Sequence, residues 1–133
     1  DRPVSPLKEQ PWRIILTHDA SSIPADSICL TDEFRDRTLV VENVFNYLEL
    51  LKKLYNNKKI GTILLEAGGC LVREFLKAGL VDEWVGFYAP IIIGGGTDGV
   101  APGPFLEHEA HLEQPVVNIF GDDVCIRGDI CYR

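Results

Sequence analysis

The sequence contains no methionine. A chain without an initiator is expected to be trimmed from something longer. There is also no stretch near the roughly 18 uninterrupted apolar residues that a membrane span needs. The first residues, Asp1-Arg2-Pro3-Val4-Ser5-Pro6, carry no apolar signal region. A soluble, unsecreted, cytoplasmic protein without membrane association is therefore expected.

Other absences narrow the function classes. The four cysteines, Cys29, Cys70, Cys125 and Cys131, form no C-x-x-C pair and have no histidine at metal-ligand spacing. That argues against a structural zinc site and for free thiols in a reducing compartment. Basic residues are outnumbered, 13 Lys and Arg against 20 Asp and Glu, giving a net charge of -7. Such a chain repels nucleic acid and anionic lipid, and no basic stripe interleaved with aromatics offsets the repulsion. Any anionic ligand must be held by local geometry, such as the backbone N–H groups at a helix start. Neither a G-x-G-x-x-G fingerprint nor a Walker loop is present.

What remains suits one globular domain spanning residues 1–133, with 46% hydrophobic and 25% charged residues. After a proline-rich lead-in, Trp12-Arg13-Ile14-Ile15-Leu16-Thr17 has the character of a buried strand, and residues 18–26 that of a loop. A second strand is expected at Thr38-Leu39-Val40-Val41, followed by Asn43 as the N-cap of a helix. That helix would show Val44, Tyr47, Leu48, Leu51, Leu54 and Tyr55 on one face and end at Asn56-Asn57.

The run Thr62-Ile63-Leu64-Leu65-Glu66, between Gly61 and Gly68-Gly69, has the pattern of a central strand covered on both faces. Leu71, Val72, Phe75 and Leu76 then repeat with helical period up to Gly79. A further strand is expected over residues 83–89, then a turn-rich glycine segment, then two strands at residues 116–120 and 122–131 joined at Gly121. The order implies an α/β fold whose sheet is mainly parallel and closes with a C-terminal antiparallel hairpin.

The stretch Leu65-Glu66-Ala67-Gly68-Gly69-Cys70-Leu71 places glycines between a strand end and a helix start, the edge at which open α/β sheets bind ligands. Glycine lets a backbone approach a diphosphate, and first-turn N–H groups can donate to it without a cationic side chain. On the dipeptide alone a plain tight turn is the more economical reading. Glu66 favours a site, because a carboxylate ending an apolar strand needs a partner or a cleft; a structural hydrogen bond to a neighbouring loop explains it equally. Asp82-Glu83 is taken as solvated or capping, and residues 94–96 as a turn.

Residues 63–96, ILLEAGGCLVREFLKAGLVDEWVGFYAPIIIGGG, resemble the reductase domain of the bifunctional riboflavin-biosynthesis deaminase-reductase. That family has Glu, two small residues and Leu at the strand-to-helix junction, then "aGLVDE", an aromatic strand, "AP" and a glycine-containing turn. Pro11 to Thr17 looks like its "P-x-R-hydrophobic" strand, and Gly121-Asp122-Asp123-Val124 like its "G-x-D-V" strand. At Thr17-His18 the chain departs from the family's Asp-Ser. Asp1-Arg2-Pro3 stands where the family has "D-D-P", so the resemblance covers the later part of the family's domain, without its opening strands.

The resemblance implies a dihydrofolate reductase-like fold, an N-terminally incomplete domain and a homodimer. It implies NADPH-dependent reduction of the ribosyl group of 5-amino-6-(5-phosphoribosylamino)uracil to a ribityl chain. Glu66 would contact the pyrimidine, while Gly68, Gly69, Cys70, Leu71, Val72, Arg73 and Glu74, with His18, would line the NADPH site. No metal is implied. A non-catalytic ligand-binding or assembly module of the same fold is the alternative, and turnover of NADPH distinguishes the two. A generic Rossmann-like domain is disfavoured because its glycine fingerprint is missing.

Overall fold

The computed structural model describes residues 10–92, 94, 99–100, 103 and 106–133. The expectations for Asp1-Arg2-Pro3 and for Gly95 and Gly96 lie outside these. The chain divides into two compact units, with the boundary between Thr62 and Ile63.

In the first unit, β1 (Arg13–Thr17) and β2 (Thr38–Glu42) pair in parallel, with Arg13 opposite Thr38 and Thr17 opposite Glu42. Both strands are rich in β-branched and aliphatic residues, as a half-covered ladder requires. The connection between them holds a 3-10 turn (Ala20–Ser22), a single helical turn α1 (Ile28–Thr31) and a second 3-10 turn (Arg35–Arg37). Sequence periodicity does not reveal α1, which is too short to show a face. It is fixed instead by polar groups: Arg13 donates through Nη1 and Nη2 to the Asp32 carboxylate at 2.6 and 2.8 Å. The Cys29 carbonyl accepts from Arg13 Nη2 at 3.0 Å and from Thr38 Oγ1 at 2.7 Å.

The helix after β2, α2 (Tyr47–Lys58), starts three residues later than its apolar spacing suggested. Its N-cap is Asn46, whose side chain accepts from the Glu49 N–H, whereas Asn43 sits at φ 51. An N-cap needs extended backbone, so a residue in the left-handed region cannot fill that role. With the start shifted, Leu54 is buried, while Leu48 and Tyr55 point to solvent. The helix runs to Lys58, past Asn56-Asn57, and Lys59 closes it in the left-handed conformation. Lys58 Nζ lies 4.4 Å from the centroid of the Trp12 ring and the Arg37 guanidinium 5.5 Å from it. The Lys58 contact fastens the end of α2, and the Arg37 contact the turn before β2, to the residue before β1.

In the second unit, α3 (Gly69–Lys77) buries Phe75 and Leu76, with Leu71 and Val72 half-buried, as the periodicity implies. Gly79, at φ 64, stops it, and the Gly79 and Leu80 N–H groups return to the Leu76 and Phe75 carbonyls at 3.0 Å. Strands β3 (Glu83–Tyr88), β4 (Ala110–Phe120) and β5 (Asp123–Tyr132) form an antiparallel sheet in the order β3-β5-β4. The terminal hairpin turns at Gly121, φ 65, as expected.

The ladder between β4 and β5 shifts register between Glu113 and Val116, where Gln114 takes φ 44 and Pro115 follows. A bulge tolerates proline, which has no N–H for the ladder. Gly128 faces it, and a Cβ there would lie 3.2 Å from the Glu113 carbonyl oxygen. Glu83, Asp129 and Glu113 meet in one row across the sheet. The like charges are offset by Arg127, which pairs with Glu83, and by Arg133 Nη2, 4.0 Å from Glu113.

One strand expectation is overturned. Residues 62–66 join no ladder among the described residues, and Leu64 is 79% exposed. Their apolar run signals coverage on both faces, but a strand exists only where a neighbour accepts its backbone hydrogen bonds. The sheets of the described residues offer none.

The Arg13–Asp32 pair yields a pH test. Hydrogen bonding from Arg13 holds the Asp32 carboxyl below its usual range, aided by the Phe34 N–H. A carboxylate shifted down stabilises the fold above its unfolded value of about 3.9, and the gain is lost as pH falls through the lowered value. Asp32→Asn should therefore lower the thermal midpoint at pH 7, and the gap from the parent should shrink as pH falls below the usual carboxylate range. A gap unchanged with pH in thermal melts would show that the pair contributes nothing.

Candidate functional site

The glycines that precede α3 are the most informative local feature. Gly68 is the N-cap, at φ -66 and ψ 158, and no side chain caps the helix. This is extended backbone open to any residue, so the conformation does not require glycine. Packing does not require it either, because a Cβ on Gly68 would meet nothing within 4 Å.

The Gly68 carbonyl accepts from both the Leu71 N–H at 3.1 Å and the Val72 N–H at 3.3 Å. The first turn is thus tightened, and the N–H groups that precede its first internal bonds are those of Gly69 and Cys70. The partial positive charge of a helix N-terminus is concentrated there. An anion placed over Gly68 would meet backbone donors and no methyl group.

The residues singled out from sequence divide by exposure. Glu66, Gly68, Cys70 and Glu74 are exposed, Leu71, Val72 and Arg73 are half-buried, and Gly69 is buried. With about 3.6 residues per turn, seven consecutive residues cannot all face one ligand. Cys70 and Glu74, four apart, share the exposed side, while Leu71 and Val72 turn toward the packed one. Glu66 is solvated, which removes the need for a buried partner. Arg73 lies against Gly103: a Cβ on that glycine would come within 2.8 Å of the Arg73 Nε and 2.9 Å of its Cζ. Sequence reasoning missed this contact; the Pro102-Gly103-Pro104 triplet was its only trace.

His18 belongs to the other unit, exposed and directly after β1. Its loop is heavily bonded. The Thr17 hydroxyl donates to the Asp19 carbonyl at 3.0 Å and accepts from the Asp19 N–H at 3.1 Å. Asp19 Oδ1 accepts from the Ser21 hydroxyl at 2.6 Å and from the Ser21 N–H at 2.8 Å, which together hold that carboxyl below its usual range. Ala20 donates its N–H to Glu42 Oε1 at 2.6 Å. Among the described residues no three His, Cys, Asp or Glu side chains are grouped to hold a metal, and the four cysteines are free thiols. No helix among them is long and apolar enough to cross a membrane.

These elements define a mixed α/β domain with a glycine-led helix start, a type of junction suited to anionic ligands. Residues 2–126 match the family model described as the RibD C-terminal domain, and the chain belongs to that family. It is 34% identical over 95 residues to the riboflavin biosynthesis protein RibD of Escherichia coli K12, covering 68% of this chain and 26% of that protein. It is 30% identical over 92 residues to RibD of Mycobacterium tuberculosis, covering 69% and 25%. The chain thus spans about a quarter of the length of these relatives. Its fold is that of Acinetobacter baumannii RibD, with a TM-score of 0.74, 24% identity, and coverage of 92% of this chain and 38% of that one.

Because neither conformation nor packing demands glycine at residue 68, Gly68→Val should fold. The exchange should cost at most about 1 kcal/mol, the usual difference between a good and a poor N-cap. Chemical denaturation measures this directly, and a loss of several kcal/mol would mean that the glycine serves the fold itself.

Proposed function

We propose that this chain is part of an NADPH-dependent reductase of riboflavin biosynthesis, converting the ribosyl group of 5-amino-6-(5-phosphoribosylamino)uracil to a ribityl chain. The observation that carries the reading is the start of α3. Gly68 serves neither turn nor packing, yet it leaves open space above two N–H groups that precede the helix's own bonds. A dinucleotide diphosphate suits that feature in a chain of net charge -7, because backbone donors attract it locally while the global field does not. Membership of the RibD C-terminal domain family and the names of the relatives support the pathway.

Bound NADPH would supply the hydride that the sugar carbon attached to nitrogen can accept once the ring opens to an imine. The protein's part is to position and to stabilise charge. Gly68 and the first turn of α3 hold the cofactor's anionic part, with Cys70 and Glu74 on the same exposed side. Glu66, two residues earlier and solvent-facing, accepts the N–H groups of the pyrimidine and orients it. Leu71 and Val72 anchor the helix by packing, and Arg73 braces it against Gly103.

A homodimer belongs to the same proposal. Val85, Phe87, Val116 and Phe120 lie on one face of the antiparallel sheet and are 49%, 65%, 56% and 55% exposed. The Phe87 and Phe120 rings pack at a tilt, with centroids 6.0 Å apart. An apolar cluster of this kind gains from being covered by a second copy. The alternative, a non-catalytic module of the same fold, is favoured by one feature, the exposed residues 63–64 before the site.

The two roles separate by experiment. Gly68→Val should reduce NADPH affinity by at least about tenfold, whereas Glu66→Gln should leave NADPH affinity within about twofold and lower turnover by about a hundredfold. Fluorescence titration and NADPH oxidation with the aminopyrimidine substrate measure the two. Equal loss of cofactor binding in both variants would refute the assignment of Glu66, and absence of any turnover in the parent would favour the non-catalytic module.

A further inference from the structure

The apolar cluster of the antiparallel sheet shares its face with Asp123, Cys125, Arg127 and Asp129 of β5, because successive side chains of a strand alternate between faces. Phe120 stands level with Asp123, Phe87 with Cys125, and Val85 and Val116 with Arg127. Glu83, Asp129 and Glu113 form an acidic row one step further from the hairpin turn. Asp123 and Arg127 are exposed, opposite in charge, and each two residues from buried Cys125, about 7 Å along the strand. Arg127 pairs with Glu83 through Nε, which leaves its two terminal nitrogens for another carboxylate. On the other face the middle of the sheet is taken. There Val124, Ile126 and Ile130 are half-buried, and the Tyr132 hydroxyl bonds both backbone groups of Val81 at 3.1 Å.

We propose that this face closes on a second copy of the chain about a two-fold axis that crosses the strands at the level of Cys125. Stacked sheets lie about 10 Å apart. That axis lays each β5 antiparallel to its counterpart and sets Arg127 of each copy over Asp123 of the other, so the ion pair forms twice. Phe87 meets its counterpart between the two pairs, and Val116 meets Phe120. Other registers are worse. An axis at the level of Arg127 sets that guanidinium on its own counterpart, and one at the level of Ile126 sets Asp123 against Asp129. Both bring like charges together. With the axis at Cys125, the acidic row falls opposite the hairpin turn, at a solvated rim. The inference rests on the homodimer proposed above and adds the face and the register that form it; it does not depend on NADPH.

The test measures the dimer dissociation constant of the full chain by sedimentation velocity, for the parent and for charge exchanges on this face. Asp123→Arg and Arg127→Asp should each raise it by at least about tenfold, and the double exchange should return it to within about threefold of the parent. Within one copy the two residues stand about 14 Å apart, so recovery reports a contact between copies. Overall charge predicts the opposite for one variant: Asp123→Arg makes the chain less acidic, which by itself would tighten association. Ile119→Lys, on the other face, should leave the constant within about twofold of the parent.

A dimeric parent whose double exchange associates no more tightly than the single ones, or that Ile119→Lys dissociates, overturns this face and register and leaves the homodimer standing. A parent that stays monomeric overturns the homodimer and this inference together and leaves the NADPH reading untouched. Should circular dichroism show the exchanges unfolded, Asp123→Asn, which removes a single charge, carries the test: a weakened dimer supports the ion pair, and a parent-like constant refutes it.

Discussion

A helix start that no side chain caps, in a chain of net charge -7, is the constraint on which the account turns. Backbone N–H groups at such a start must be met by water or by a ligand. An acidic protein cannot draw in a dinucleotide by its overall field, so the attraction has to be local and directional. On the proposed reading the first turn of α3 supplies it. The Gly68 carbonyl takes up the Leu71 and Val72 N–H groups, which leaves those of buried Gly69 and exposed Cys70 ahead of the helix's own bonds. Packing by Phe75 and Leu76 fixes the axis on which those donors stand.

The second physical theme is apolar surface. Among the described residues the buried apolar side chains are Leu54, Phe75, Leu76 and Cys125, while Ile28, Leu64, Phe87 and Ile119 are well exposed. A family whose curated members are about four times longer gives a simple context for this. Apolar surface of this extent gains from being covered. Residues 62–66 illustrate the point: their composition is that of a covered strand, and composition records the environment in which a sequence was selected.

Local pattern was legible where one element settles its own burial. The face of α3, its stop at Gly79, the strand at residues 83–88 and the hairpin at Gly121 all follow from spacing and turn chemistry. What was not legible depended on partners distant in sequence. Asn43 and Asn46 are chemically equivalent caps, and only the left-handed backbone at Asn43 separates them. The turn α1 owes its place to Arg13 and Thr38 reaching the Cys29 carbonyl. The bulge beside Pro115 was hinted at by proline within a strand, but its complement, Gly128, is a feature of register. For the site, the Glu66-Ala67-Gly68-Gly69 signature was visible, yet the division of residues 68–74 into exposed and packed sides was not.

The central claim is that the start of α3 receives the cofactor, and amide hydrogen exchange tests it most directly. Exchange should be compared with and without saturating NADPH. The account predicts slowed exchange at the Gly69 and Cys70 amides, with the β4–β5 hairpin unchanged as an internal control. NADPH binding that leaves these two amides exchanging at their free rate would contradict it.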